Sequence, residues 1–273
     1  MKLALTAGYD RALHAIALAE LLRRQGHHLD PVLVVNQITF TRVRQTLRQQ
    51  GLTGLRHQAL RLLTNASRHN KNQGPSCLER FLDNHCISER SLKQWCRKHH
   101  STYDVVTTLN RPSAIRLVAA TAPDGLIYAG GGILLQPIID TVRGRILNAH
   151  SGPLPEIRGM NACEWSVLLG LKPTVTIHFI DRGIDTGPPI ATFPVRVERG
   201  DTIERLREKC TLRGVEGIVQ CLDAINRPIP SAAKVPAADL YRQCHVLAPV
   251  LRELLEARLR SGSSLDFQGR ELS

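Results

Sequence analysis

The chain alternates short apolar runs with segments of helical period. KLALTAG at 2–8 is an apolar run closed by glycine. In DRALHAIALAELLRRQGH at 10–27, Leu13, Ile16, Ala17 and Leu21 recur on one helical face, and Gly26 supplies a stop. PVLVVNQ at 31–37 reads as a second strand. This predicts a β-α-β unit with a right-handed crossover. Buried strands follow in DVVTTLN at 104–110, GLIYAGG at 125–131 and GRILNAH at 144–150, with a helix at 113–121 between the first two. TVTIHFI at 174–180 and ATFPVRV at 191–197 flank a glycine-rich turn. A long helix then starts at an N-cap, Asp201 or Thr202. The alternation predicts an α/β fold, Rossmann-like, with a mostly parallel sheet flanked by helices.

Two regions depart from the alternation. Residues 40–100 are helical in pattern, polar and basic, and read as a helical insertion broken by the loop at 66–76. Residues 226–238 hold three prolines and read as a linker, followed by a last helix at roughly 239–260. The predicted organisation is a catalytic domain over 1–228 with the insertion, then a linker and small helical C-terminal appendage over 229–273.

Composition narrows the class. Apolar residues are 42% of 273, enough for a substantial core, and no run of 18 uncharged apolar residues predicts a membrane span. Asp10 and Arg11 interrupt the first apolar run too early for a signal peptide, so a cytoplasmic location is expected. The seven cysteines form no C-x-x-C pair, which predicts reduced thiols. Cys86, Cys96, His99 and His100 match no zinc spacing, and no metal is expected. Of the net +12, much sits at 40–120, which holds 14 Lys and Arg against four acids. That charge suits phosphate or carboxylate partners. Interleaved aromatics, which a single-strand nucleic-acid platform needs, are few. A nucleic-acid partner is therefore not favoured, and no membrane partner is expected.

In open parallel sheets, ligands sit beyond the carboxyl ends of the strands. Three such ends carry polar or bare-backbone groups: YAGGGIL, NAHSGPLP and HFIDRGIDTGPP. Asn148 and His150, two apart on one strand, share a face. Asp185, between Gly183 and Gly187, sits in a turn able to return toward it. An amide donor, an imidazole and a carboxylate together suit acyl transfer. The amide stabilises an oxyanion, the imidazolium does likewise or gives a proton, and the carboxylate orients the ring. No G-x-S-x-G, Walker-type or H-E-x-x-H motif competes.

The ordered pieces Asn148, His150, Leu154-Pro155, Gly159, His178-Phe179 and Asp185-Thr186-Gly187-Pro188 closely resemble the signature of folate-dependent formyltransferases. That family includes glycinamide ribonucleotide, methionyl-tRNA and sugar-nucleotide N-formyltransferases. The resemblance implies a formyltransferase fold, 10-formyltetrahydrofolate as donor and an amine as acceptor. It implies that Asn148 and protonated His150 stabilise the tetrahedral oxyanion, with Asp185 holding His150 and managing the amine's proton. It places the folate against Gly131, Gly132, Ile133, Leu134 and Leu135, with Asp181 as a second contact. His178 reads as structural.

The chain departs from the family at H-S-G-P-L-P, where Ser151 and Gly152 stand beside the reacting centre. The glycine turn that holds ribonucleotide phosphate is missing from TAGYDRALH, which argues against glycinamide ribonucleotide. The residues after the linker are too few for a full OB-type tRNA-binding domain. A small anionic amine, such as a nucleotide-linked amino sugar, is therefore the expected acceptor. Ser151, Gly152, Arg158, Asn161 and Arg11 are its candidate contacts, with Arg42 and Arg111 as further phosphate partners. The alternatives are a 10-formyltetrahydrofolate hydrolase, a methionyl-tRNA formyltransferase-like enzyme, or a non-catalytic folate- or RNA-binding module. A homodimer is compatible with all of them.

Overall fold

The computed structural model describes residues 1–36, 75–230 and 242–261. The basic segment at 40–74, most of the loop at 66–76 and most of the linker lie outside the described residues.

Seven strands form one sheet in the order β3-β2-β1-β4-β5-β7-β8. They are β1 Lys2–Ala7, β2 His28–Val35, β3 Tyr103–Val106, β4 Gly125–Ala129, β5 Ile146–His150, β7 Thr174–Phe179 and β8 Pro189–Pro194. The first five pair in parallel; β7 and β8 pair antiparallel beyond β5. The chain runs outward from β1 to β3, then returns to place β4 on the other side of β1, which opens a crevice at the carboxyl ends.

Alternation along the strands builds two cores. Leu3, Leu5 and Val34 pack on one face, while Ala4, Leu33 and Val35 pack on the other. The first face is covered by α1 (Leu13–Arg24), α2 (Cys77–Asn84), α3 (Leu92–His99), α6 (Ala162–Leu168) and α7 (Ile203–Cys221). The second is covered by α4 (Pro112–Thr121) and α5 (Gln136–Thr141). Local chemistry sets the helix starts. Ser76 and Glu79 form a reciprocal capping box on α2, and Thr202 accepts the Arg205 N–H to cap α7.

Glu20 is a buried carboxylate that joins two helices. It accepts from Arg23 at 2.8 Å, from Arg24 at 2.8 Å and from Trp95 Nε1 of α3 at 3.1 Å. These donors, Arg23 first, hold it down at about 2.

The chain end differs from expectation. Residues 242–244 form a strand, β9, and the last helix, α8, starts at Pro249 and runs to Ser261. β9 pairs in parallel with a short strand, β6 (Ile157–Gly159). Gly159 makes this close approach feasible, because a Cβ there would lie 2.4 Å from the Cys244 carbonyl oxygen. A three-residue strand carries no legible period, so helical patterning around it dominates the sequence signal. Leu255 and Leu259 of α8 are fully buried, and Arg258 donates to the carbonyls of Val167 and Leu168.

Candidate active site

β5 ends at the open edge of the crevice and carries Asn148 and His150 on one face. The antiparallel register sets His178 opposite Asn148 and Thr176 opposite His150. Four side chains from two strands therefore converge. Thr176 donates to the Gly152 carbonyl at 2.7 Å and accepts the Leu154 N–H at 3.2 Å, so it fixes the loop leaving His150.

Asp185 reaches this face from the β7–β8 turn. The turn is folded so tightly that a Cβ on Gly187 would sit 1.8 Å from the Phe179 carbonyl oxygen. Asp185 itself is left-handed, at φ 53, a conformation that Asp tolerates better than most residues. One carboxylate oxygen lies 3.4 Å from His150 Nδ1 and accepts the Gly159 N–H at 2.8 Å. The other lies 3.9 Å from His178 Nε2. His150 Nε2 faces the Ile157 carbonyl at 2.8 Å. Both ring nitrogens thus face oxygens that only accept, and a protonated ring donates to both.

His178 is 1% exposed. Its Nδ1 faces the Phe179 carbonyl at 2.8 Å, and its Nε2 faces Asn148 Nδ2 at 3.0 Å. Burial drives its imidazole down to about 4, against the pull of the Asp185 carboxylate.

The bare backbone after β4 turns through three consecutive positive-φ glycines, 130, 131 and 132. A Cβ on Gly131 would lie 2.7 Å from Leu109. Leu134 is buried as the anchor, while Ile133 and Leu135 are exposed at 69% and 54%. Asn110 clamps this loop, donating to the Ile133 carbonyl and accepting the Leu135 N–H, both at 2.8 Å. Tyr128 donates to the Gly132 carbonyl at 2.7 Å. Three backbone groups of the expected folate contacts, the Gly132 and Ile133 carbonyls and the Leu135 N–H, are therefore already engaged. Asp181 organises the β7–β8 turn, accepting from Gly183 N–H at 3.0 Å and Thr186 Oγ1 at 2.5 Å.

A cavity of about 380 Å³ opens beside His150. Ser151, Gly159, Asn161, Glu164, Arg207 and Thr211 contribute to its lining. Of the expected acceptor contacts, the fold brings Ser151 and Asn161 to this cavity. Gly152 lies buried beneath it, where a Cβ would be 2.7 Å from Ala162 Cβ and 3.1 Å from His150 Nε2. Arg158, on β6, does not line it, and its buried Nε has no hydrogen-bond partner among the described residues. Arg11 and Arg111 are exposed away from the lining, and Arg42 lies outside the described residues.

Glu164 is the group that sequence reasoning missed. It is 1% exposed and pairs with Arg207, whose Nε donates at 2.6 Å. Asn161 Nδ2 donates to it at 2.7 Å, and the Cys163 thiol faces it at 2.7 Å. Burial alone would raise the carboxyl, but the Cys163 thiol and the Arg207 charge outweigh it and hold the group below its usual range. Asn161 Oδ1 also accepts the Leu247 N–H at 3.2 Å, so the segment after β9 braces the same wall. No signal short of the tertiary fold pairs residues 43 positions apart. Among the described residues no cluster of metal-ligating groups occurs, and no helix is long and apolar enough to cross a membrane.

Comparison with known proteins identifies the family and the fold. Residues 11–222 match the family model described as formyl transferase. The methionyl-tRNA formyltransferase of Thermodesulfovibrio yellowstonii is 32% identical over 105 residues, 38% of this chain and 34% of the relative. That of Aromatoleum aromaticum is 30% identical over 151 residues, 55% of this chain and 46% of the relative. The chain thus spans less than half the length of the curated relatives it matches. Among solved structures, the phosphoribosylglycinamide formyltransferase of Bacillus halodurans superposes with a TM-score of 0.55 at 19% identity, covering 89% of this chain and all of that one. With the family model covering well over half of its length, the chain belongs to the formyl transferase family, whose formyl donor is formyltetrahydrofolate.

Proposed function

We propose that the protein transfers the formyl group of 10-formyltetrahydrofolate to a primary amine. One observation carries the reading: Asn148, His150 and Asp185 meet at the carboxyl end of β5, with Asp185 3.4 Å from His150 Nδ1, beside a cavity large enough for the end of an acceptor. The amine lone pair attacks the formyl carbon, and the carbonyl oxygen becomes an oxyanion. Asn148 Nδ2 donates to that oxygen, and protonated His150 adds positive charge beside it. The bond from the formyl carbon to folate N10 then breaks. N10 gains a proton, and Asp185 takes the proton lost by the amine, directly or through water. The donor lies along 131–135, where exposed Ile133 and Leu135 leave an apolar edge for a flat ring.

For the acceptor, the amine of a methionyl-tRNA is the reading the relatives' names favour over a small anionic amine. The cavity supports it: Arg207 is neutralised by Glu164, so among the described residues the lining holds no unopposed cation for a phosphate. The basic balance of +12 suits a polyanion gripped outside the cavity. The test is tetrahydrofolate release from 10-formyltetrahydrofolate with methionyl-tRNA and with a panel of amino sugars and amino nucleotides. Turnover with methionyl-tRNA is expected. Turnover with an amino sugar alone would overturn the acceptor, and amine-independent formate release would overturn the transferase reading in favour of a hydrolase.

A further inference from the structure

His178 touches no expected position of either substrate, yet it sits directly across the antiparallel ladder from Asn148. Its Nδ1 lies 2.8 Å from the Phe179 carbonyl, which can only accept, so Nδ1 carries a proton. In a neutral ring Nε2 is then a bare acceptor. The group 3.0 Å from it is the nitrogen of the Asn148 amide, which has protons to give. Reversing the amide would bring its oxygen against a lone pair. The ring therefore distinguishes the two ends of the amide, which are nearly equal in size.

We propose that His178 is a positioning residue that fixes which end of the Asn148 amide faces it, and so leaves the second Nδ2–H aimed into the reacting centre. The inference rests on the reading of Asn148 as the oxyanion donor. Three observations support it besides the two distances. The His178 side chain is nearly enclosed, so water does not replace its acceptor. Burial drives the ring down to about 4, so it is neutral at ordinary assay pH and keeps Nε2 free to accept. Asp185 at 3.9 Å is too distant to hold a proton on Nε2 by a hydrogen bond.

A role through another residue is separable from a structural one by a double-mutant cycle. His178→Phe keeps the ring and removes the acceptor. The single variant should lower kcat by about 10- to 100-fold, with KM for the donor changed less than about 3-fold, the range of one lost oxyanion donor or less. In an Asn148→Ala background, the same change should lower kcat by less than about 2-fold. Equal losses in both backgrounds, or no loss in the single variant, would overturn the proposal. An unchanged kcat in Asn148→Ala itself would instead sink the reading of the site on which it rests. If His178→Phe does not fold, nitrogen NMR of the intact protein at neutral pH decides: a proton on Nδ1 with bare Nε2 supports the proposal, and a proton on Nε2 contradicts it.

Discussion

One carboxylate oxygen of Asp185 serves two partners: it accepts the Gly159 N–H at 2.8 Å and faces His150 Nδ1 at 3.4 Å. The backbone contact holds the carboxylate in place, and the looser contact leaves it free to act on a proton. Asp185→Asn keeps an oxygen for Gly159 but loses the charge. We expect a fall in kcat of about 10²- to 10⁴-fold with the melting temperature little changed, read by tetrahydrofolate release and calorimetry. A variant with full activity would remove Asp185 from the chemistry.

Gly152 stands in the H-S-G-P-L-P loop that leaves His150, and the structure gives a reason for a glycine there. A side chain there would press on Ala162 Cβ at 2.7 Å and on His150 Nε2 at 3.1 Å. Gly152→Ser should cost about 1–3 kcal/mol of stability by overpacking. It should also lower kcat, because the His150 ring has to yield. Denaturant melts and steady-state kinetics on the same preparation check both; a stable, fully active variant would show that the loop yields freely.

Asn110 is expected to act on the donor alone. Asn110→Ala removes both bonds that brace 133–135, each worth about 0.5–1.5 kcal/mol. KM for 10-formyltetrahydrofolate should rise by roughly 5- to 150-fold, on that estimate, while KM for the acceptor stays within error. An equal rise for both substrates would place the loop elsewhere in the reaction.

Much of this was legible in the chain. Apolar runs closing on polar tips located β4, β5 and β7, and the two-residue spacing of Asn148 and His150 set both on one face. Gly183 and Gly187 marked the turn that returns Asp185. Other features have no local signature. The Asn110 clamp joins residues 23 and 25 positions apart across a crossover. The Glu164–Arg207 pair joins two helices, and β9 is too short to show a period. His178 looked like a strand histidine satisfied in place. That description holds for its Nδ1, and only the register of β5 against β7 shows what its Nε2 meets.

Glu20 ties stability to pH. Its carboxyl is held at about 2, below the 4.5 of a free glutamate, so its contribution is present above about 4.5 and is lost as pH falls from there through about 2. The full contribution is on the order of 3 kcal/mol. Glu20→Gln should flatten that part of the acid-unfolding curve and lower stability at neutral pH. An unchanged acid limb would show that the cluster with Arg23, Arg24 and Trp95 contributes little.

One measurement tests the proposed chemistry most directly: tetrahydrofolate released from 10-formyltetrahydrofolate by the purified protein with and without methionyl-tRNA, beside His150→Ala. We predict release that requires the amine, with formyl recovered on it, and a loss of at least about 100-fold in the variant. Undiminished amine-dependent release by His150→Ala would contradict the proposed chemistry.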